Sequence, residues 1–179
     1  MICLVRHGEA EAGWGHAADP GLSTLGGQQA EAVGEQLARQ PFEQAFSSPM
    51  ARCQQTSRPF ARRSGLTIAT EPKVSEIPTP EGLDDRVAWL RGFMAGTWDE
   101  ALPLLHDWRK ALIERVEALP DNTVVFTHFI AINSIVGHLS GSQLVTSFRP
   151  GHCSVTRLNK GADGLSVSEL GSEAATQVI

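Results

Sequence analysis

The chain has 179 residues, room for one domain of about 150 residues and not for two independently packed cores. Hydrophobic residues make up 41% and charged residues 20%, an ordinary globular composition with no disordered or low-complexity tract. Fifteen Lys and Arg against twenty Asp and Glu leave a net charge of −5, which argues against non-specific binding to nucleic acid or to an anionic membrane. Any basic site must therefore be local. Cys3, Cys53 and Cys153 are odd in number, far apart and without metal-ligand spacing, so a reducing, cytoplasmic setting is expected and neither a disulfide framework nor a zinc site. The opening MICLVRHGEA lacks the basic start and long apolar run of an export signal. TVVFTHFIAINSIVGHL is interrupted by His128, Asn133 and His138 and reads as core, not as a bilayer span.

Taken in chain order, Ile2 to Val5 is a fully apolar run ending in Arg6, the pattern of a central buried strand. A loop from Gly13 to Gly21 follows, and Ser23 is placed to cap a helix with Ala30, Val33 and Leu37 at helical spacing. Gln44 to Phe46 is a short strand, and Ser48-Pro49 predicts the N-cap and first turn of a second helix carrying Arg52. That helix is expected to weaken near Pro59 and stop before Gly65, with Leu66 to Thr70 a further strand. Ile77 to Gly82 is loop, Asp84 to Met94 helical, and Thr97 with Glu100 gives a capping-box pattern before a helix reaching about Leu119. Val124 to Thr127 is a strand followed at once by His128 and an apolar helix, Ile130 to Leu139, closed by Gly141. Ser154 to Leu158 and Leu165 to Leu170 flank a Gly-Asp-Gly turn and predict an antiparallel edge hairpin. No internal repeat is present.

Strands alternating with helices predict an α/β fold: a three-layer α/β/α sandwich with a largely parallel central sheet. Ligands of such sheets bind beyond the carboxyl ends of the strands. That rule selects Arg6 to Glu9, Ser47 to Arg52, and His128 with Phe129, and so gathers two imidazoles and two guanidiniums in an acidic chain. The matching ligand is a compact anion, best a phosphate, since the arginine fork fits phosphate oxygens and helices starting after Ser48 and His128 aim free N–H groups at the same place. Two permanent cations disfavour the imidazolium form of His7, leaving it neutral and nucleophilic. Glu76, in VSEIPTP, is the candidate general acid if burial raises its pKa, with Glu9 and Glu81 as alternatives. Each residue also has a bland reading: a strand-end histidine for His7, carboxylate pairing for Arg6 and Arg52, helix capping for His128 and Ser23.

LVRHGEA, GLSTLGGQQA, SSPMARCQQT, VSEIPTP and VVFTHF, in that order, resemble the histidine phosphatase superfamily, also called phosphoglycerate mutase-like, over most of the chain. The resemblance implies a single domain over residues 1–179, a phosphate-binding Arg6, a phosphorylated His7, further phosphate contacts from Arg52 and His128, and Glu76 as the acid. Gly8, Glu9, Ser23 and Phe129 are the expected substrate-binding positions. The sequence departs from the family where many members have Thr and Asn and this chain has Ala10 and Gly13, and where Phe129 stands for a glycine after the second histidine. Ser23 is a candidate replacement for one lost polar contact, and the Phe129 ring is expected to narrow or line the pocket.

The expected activity is a cofactor-independent, acid-type phosphatase acting on a small phosphorylated substrate through phosphohistidine on His7. Alternatives are a mutase, a protein phosphohistidine phosphatase and a non-catalytic phosphate binder. Only two helices and little else separate Glu76 from His128, which favours hydrolysis over mutase chemistry. No metal, nucleotide or flavin is required, and oligomeric state is not set by the sequence. His106 and His138 are read as surface or satisfied-core histidines, and His16 and His152, also given a bland reading, could approach the pocket only through loops that the pattern does not place. The four Trp are read as packing residues, Trp14 also as a candidate pocket wall, and the cysteines as buried small residues.

Overall fold

The computed structural model describes residues 1–11 and 19–174. The expected elements form in order: β1 (Ile2–Arg6), α1 (Thr24–Leu37), β2 (Gln44–Ser47), α2 (Ala51–Ser64), β3 (Ile68–Thr70), α3 (Arg86–Ala95), α4 (Pro103–Glu117), β4 (Thr123–Thr127), α5 (Phe129–Ser140), β5 (Val155–Gly161) and β6 (Gly164–Glu169). They build one six-stranded sheet in the order β3-β2-β4-β1-β5-β6. The β3, β2, β4 and β1 strands run parallel to their neighbours, whereas β5 pairs antiparallel with β1 and β6 antiparallel with β5. Among the described residues no helix is long and apolar enough to cross a membrane.

Every residue of β1 and β4 is buried, because both faces of these central strands are covered. Alternation divides the core in two. Ile2, Leu4 and Val125 pack with Leu112 and Val116 of α4 and Ile132 and Ile135 of α5. On the opposite face Cys3, Val5, Val124 and Phe126 pack with Val33 and Leu37 of α1 and Cys53 and Phe60 of α2. The sheet with helices on both sides is the three-layer α/β/α arrangement read from the sequence.

β3 starts at Ile68 and α3 at Arg86, each two residues later than expected, and two helix starts differ in their capping. Ser48 does not cap α2; the helix begins at Ala51 after Met50, which makes no side-chain cap. The Asp19 carboxylate accepts from the Ala51 N–H instead, at 2.9 and 3.1 Å, while the Ser48 hydroxyl is engaged by His128. Thr97 and Glu100 form no capping box: Trp98–Glu100 is a single 3-10 turn, Thr97 makes no side-chain cap, and α4 starts at Pro103. Proline lacks the N–H an interior helical position would use but suits the first turn, so it sets the start. Trp98 is almost wholly buried in a third apolar cluster with Leu90, Leu105, Phe129 and Ile130. Trp14 and His16 lie outside the described residues.

The α2 helix runs through Pro59 to Gly65, whose φ of 74° closes it in the left-handed conformation. At the crossing with α1 there is room for no side chain at Gly34, where a Cβ would stand 2.8 Å from both the Phe60 nitrogen and the Pro59 Cβ. Gly27, earlier on α1, faces open space. Gly34→Ala should therefore destabilise by about 1–3 kcal/mol through overpacking against backbone, despite a helix-propensity gain. Gly27→Ala should stabilise by up to about 1 kcal/mol. Urea unfolding of the two variants checks the opposite signs.

Candidate functional site

Sheet order assembles the site. The β2, β4 and β1 strands are adjacent and parallel, with Arg6 opposite Thr127 and Ser47 opposite Phe126, so the segments following them emerge side by side. The Arg6, His7, Arg52 and His128 side chains meet there, all at most 6% exposed, which takes two guanidiniums out of bulk water. Gly8 and Gly26 permit the tight return of the chain after β1. A Cβ at Gly26 would stand 2.0 Å from the Glu9 carbonyl oxygen, and one at Gly8 would stand 2.7 Å from that of Gly26.

His7 holds a defined tautomer. Its Nδ1–H donates to the Gly8 carbonyl at 2.7 Å, so Nε2 carries the lone pair, which accepts from Arg52 Nε at 3.1 Å. His128 Nδ1 accepts from Arg52 Nη2 at 3.2 Å, and its Nε2–H donates to the Ser48 hydroxyl at 2.8 Å. The two imidazoles meet edge to face with centroids 5.3 Å apart. Burial, then Arg52 and Arg6, pushes the His7 pKa well below the ordinary imidazole range. Burial, then His7 and the two arginines, does the same to His128. Both rings are neutral at pH 7. The neutrality expected from charge repulsion is present, but desolvation is its larger cause.

Arg6 donates from Nη1 to the Pro150 carbonyl at 2.8 Å, its Nη2 lies 3.0 Å from His152 Nε2, and its buried Nε has no partner among the described residues. The Phe129 ring lies under the guanidinium, 5.2 Å from ring centroid to Cζ. Being almost wholly buried, that ring forms a floor to Arg6 and packs into the core behind it. Burial lowers the Arg6 pKa to about 10, with the Glu76 charge opposing, so Arg6 remains a cation at pH 7.

Glu76 is carried to this edge by a short turn, Pro72–Val74, pinned to β4 through the Thr127 hydroxyl donating to the Val74 carbonyl at 2.6 Å. Its Oε1 accepts from the Ile77 N–H at 3.1 Å and Oε2 from the Ile130 N–H at 3.4 Å. Burial raises its pKa above the ordinary carboxylate value, outweighing the Ile77 N–H, Arg52, the Ile130 N–H and Arg6.

The expected substrate-binding residues divide. The Gly8 N–H donates to the Thr56 hydroxyl at 3.0 Å. Ser23 caps α1, accepting from the Gly26 N–H at 3.0 Å, and donates to Glu9 Oε1 at 2.7 Å, so both of its polar functions are used within the protein. Sequence reasoning missed Ser48 and His152. The rule of carboxyl strand ends covers only parallel strands, whereas β5 is antiparallel and delivers the segment before it to the same edge. The His152 ring is 6.2 Å from that of His7. His106 and His138 are exposed as expected, with His138 Nε2 3.4 Å from Glu117. Among the described residues no group of three or more His, Cys, Asp or Glu is arranged to hold a metal ion.

Comparison with known proteins places this geometry. The chain is 29% identical over 186 residues to the uncharacterized protein Rv0525 of Mycobacterium tuberculosis (strain ATCC 25618 / H37Rv), covering 92% of each. It is 30% identical over 123 residues to the probable phosphoglycerate mutase GpmB of Yersinia pestis (strain Pestoides F), covering 65% of this chain and 51% of that protein. Its fold matches a phosphoserine phosphatase of Entamoeba histolytica, solved in complex with 3-phosphoglyceric acid, with a TM-score of 0.78, 20% identity and 96% of each chain covered. A mycobacterial glucosyl-3-phosphoglycerate phosphatase gives a TM-score of 0.74 and 20% identity, covering 96% of this chain and 99% of that one. The family model described as histidine phosphatase superfamily (branch 1) matches residues 2–173, and the chain belongs to that superfamily.

Proposed function

We propose that this protein is a phosphatase that hydrolyses a small phosphomonoester through a phosphohistidine on His7, without a metal or other cofactor. The observation that carries this reading is the neutral His7 imidazole, its Nε2 lone pair held against the Arg52 guanidinium while Arg6 keeps a buried N–H that has no acceptor among the described residues. An arriving phosphoryl group supplies the oxygens both cations require. The three free cysteines suit a reducing, cytoplasmic setting.

In this mechanism Nε2 attacks phosphorus, and the bond from phosphorus to the leaving oxygen breaks. Glu76 gives its proton to that oxygen. Phosphorylated at Nε2 and still protonated at Nδ1, the ring is cationic, and the Gly8 carbonyl 2.7 Å from Nδ1 stabilises it. The dianion also favours the imidazolium form of His128, which then donates to an equatorial oxygen beside Arg6 and Arg52. Water next attacks the phosphohistidine with Glu76 as base, releasing phosphate and restoring neutral His7. A mutase must instead hold a bisphosphate and exclude this water. The short connection from Glu76 to His128, filled by α3 and α4, favours hydrolysis.

With para-nitrophenyl phosphate the wild-type protein should turn over in the presence of chelator, and His7→Ala should lose at least about a thousandfold in kcat. Acid-labile, base-stable phosphate trapped on His7 identifies the intermediate. No turnover in either protein leaves a phosphate binder as the outcome.

The pKa directions fix the pH profile. Activity requires neutral His7, whose depressed pKa puts the rising limb below the ordinary imidazole range, and protonated Glu76, whose raised pKa extends its acid form upward from the usual carboxylate value. The rate should therefore fall on the alkaline side as Glu76 loses its proton. Glu76→Gln should flatten that limb and lower kcat about 10²–10⁴-fold for alkyl phosphates, and far less for an aryl phosphate whose leaving group needs no proton. Steady-state rates across pH for the two substrate classes check this.

A further inference from the structure

We infer that His152 is a positioning residue for Arg6, holding one arm of the guanidinium fork and so fixing how the site meets a phosphoryl group. The inference rests on the phosphatase reading of the same site.

Arg6 is long and buried, and among the described residues it forms no close ion pair with a carboxylate. Two neutral acceptors orient its fork instead, the Pro150 carbonyl on Nη1 and His152 Nε2 on Nη2. A guanidinium only donates, so His152 must accept, and it does so only as the neutral Nδ1–H tautomer. Burial, then Arg6, lowers its pKa to about 4 against the opposing Glu9 charge, which keeps that tautomer through neutral pH. The buried Arg6 Nε–H finds no acceptor among the described residues.

The segment carrying His152 is built to hold it in place. The Cys153 N–H donates to the Arg6 carbonyl at 3.0 Å, and the Arg6 N–H donates to the Ser154 carbonyl at 3.2 Å. Cys153 adopts a φ of 56°, unusual for a side-chain-bearing residue, as the chain turns from Arg6 into β5. From outside, the Gly151 N–H donates to the Ser172 carbonyl at 2.8 Å, the Ala174 N–H to the Arg149 carbonyl at 2.9 Å, and the Arg149 N–H to the Glu173 carboxylate at 2.9 Å. Residues 172–174 thus strap the 149–151 backbone, which offers the Pro150 carbonyl to Arg6 and leads directly into His152.

The test compares His152→Ala, His152→Gln and His152→Lys with wild type, using para-nitrophenyl phosphate turnover and inorganic phosphate binding by calorimetry. Loss of a contact that orients Arg6 alike in ground and transition states should raise KM and the phosphate Kd about tenfold in the alanine variant, with kcat changed less than about threefold. Glutamine, which returns an acceptor near the place of Nε2, should recover most of the loss, and lysine, which opposes a second cation to Arg6, should exceed it. In an Arg6→Ala background His152→Ala should have no further effect. A phosphate Kd unchanged in His152→Ala, a glutamine variant no better than alanine, or an undiminished effect without Arg6 overturns the inference while wild-type turnover leaves the phosphatase reading standing. Wild-type protein that binds phosphate but does not turn over overturns the phosphatase reading alone. Absence of both overturns the two together.

Discussion

The structure is organised around the removal of two guanidinium groups from water without a matching pair of carboxylates. Burying an unpaired charge is among the costliest arrangements a fold can carry. Asp19 comes no closer than 3.9 Å to Arg52 and is itself half-exposed. The remaining polar demand falls on neutral acceptors: the lone pairs of His7 and His128 on Arg52, and a backbone carbonyl and a third imidazole on Arg6. The histidines must stay uncharged for the cluster to exist, and the cluster, by its burial and charge, keeps them so. The neutrality of His7 and the tolerance of the buried arginines are one electrostatic fact.

Rigid surroundings hold that cluster together. The central strands β1 and β4 are covered on both faces, so the backbone at Arg6 and Thr127 is fixed by packing as well as by pairing. The contact between the Gly8 and Gly26 backbones brings the start of α1 against the loop after β1. Thr56 on α2 receives the Gly8 N–H while its own hydroxyl donates back to the Arg52 carbonyl at 2.7 Å. Loop and helix are thereby tied at the two residues flanking the His7–Arg52 contact.

Much of this was legible in the sequence because it follows from short-range rules. Fully apolar β1 and β4, the alternation of strand and helix, and the glycine closures at Gly65 and Gly141 were read from pattern, and the convergence of Arg6, His7, Arg52 and His128 followed from strand-end geometry. What escaped depended on partners distant along the chain. The N-terminus of α2 takes its cap from Asp19, which releases Ser48 to His128, and no local motif announces such an exchange. Pro103 overrode the capping pattern at Thr97 because the proline ring dictates a first turn more firmly than a hydroxyl does. His152 was passed over because its strand runs opposite to those that define the rule. Ser23 had two readings, cap and ligand, and the Glu9 carboxylate fills the second.

The partnership between Arg6 and His152 spans 146 positions, whereas the strap of residues 172–174 closes on the nearby 149–151 segment. Contacts of such separation form late, because loop closure must precede any return from them. During synthesis, β1 leaves the ribosome long before the residues that brace its final arginine. Until then a positively charged strand end stands with neither arm of its fork held, and the site gains its full shape only when the far segment arrives and is fastened down.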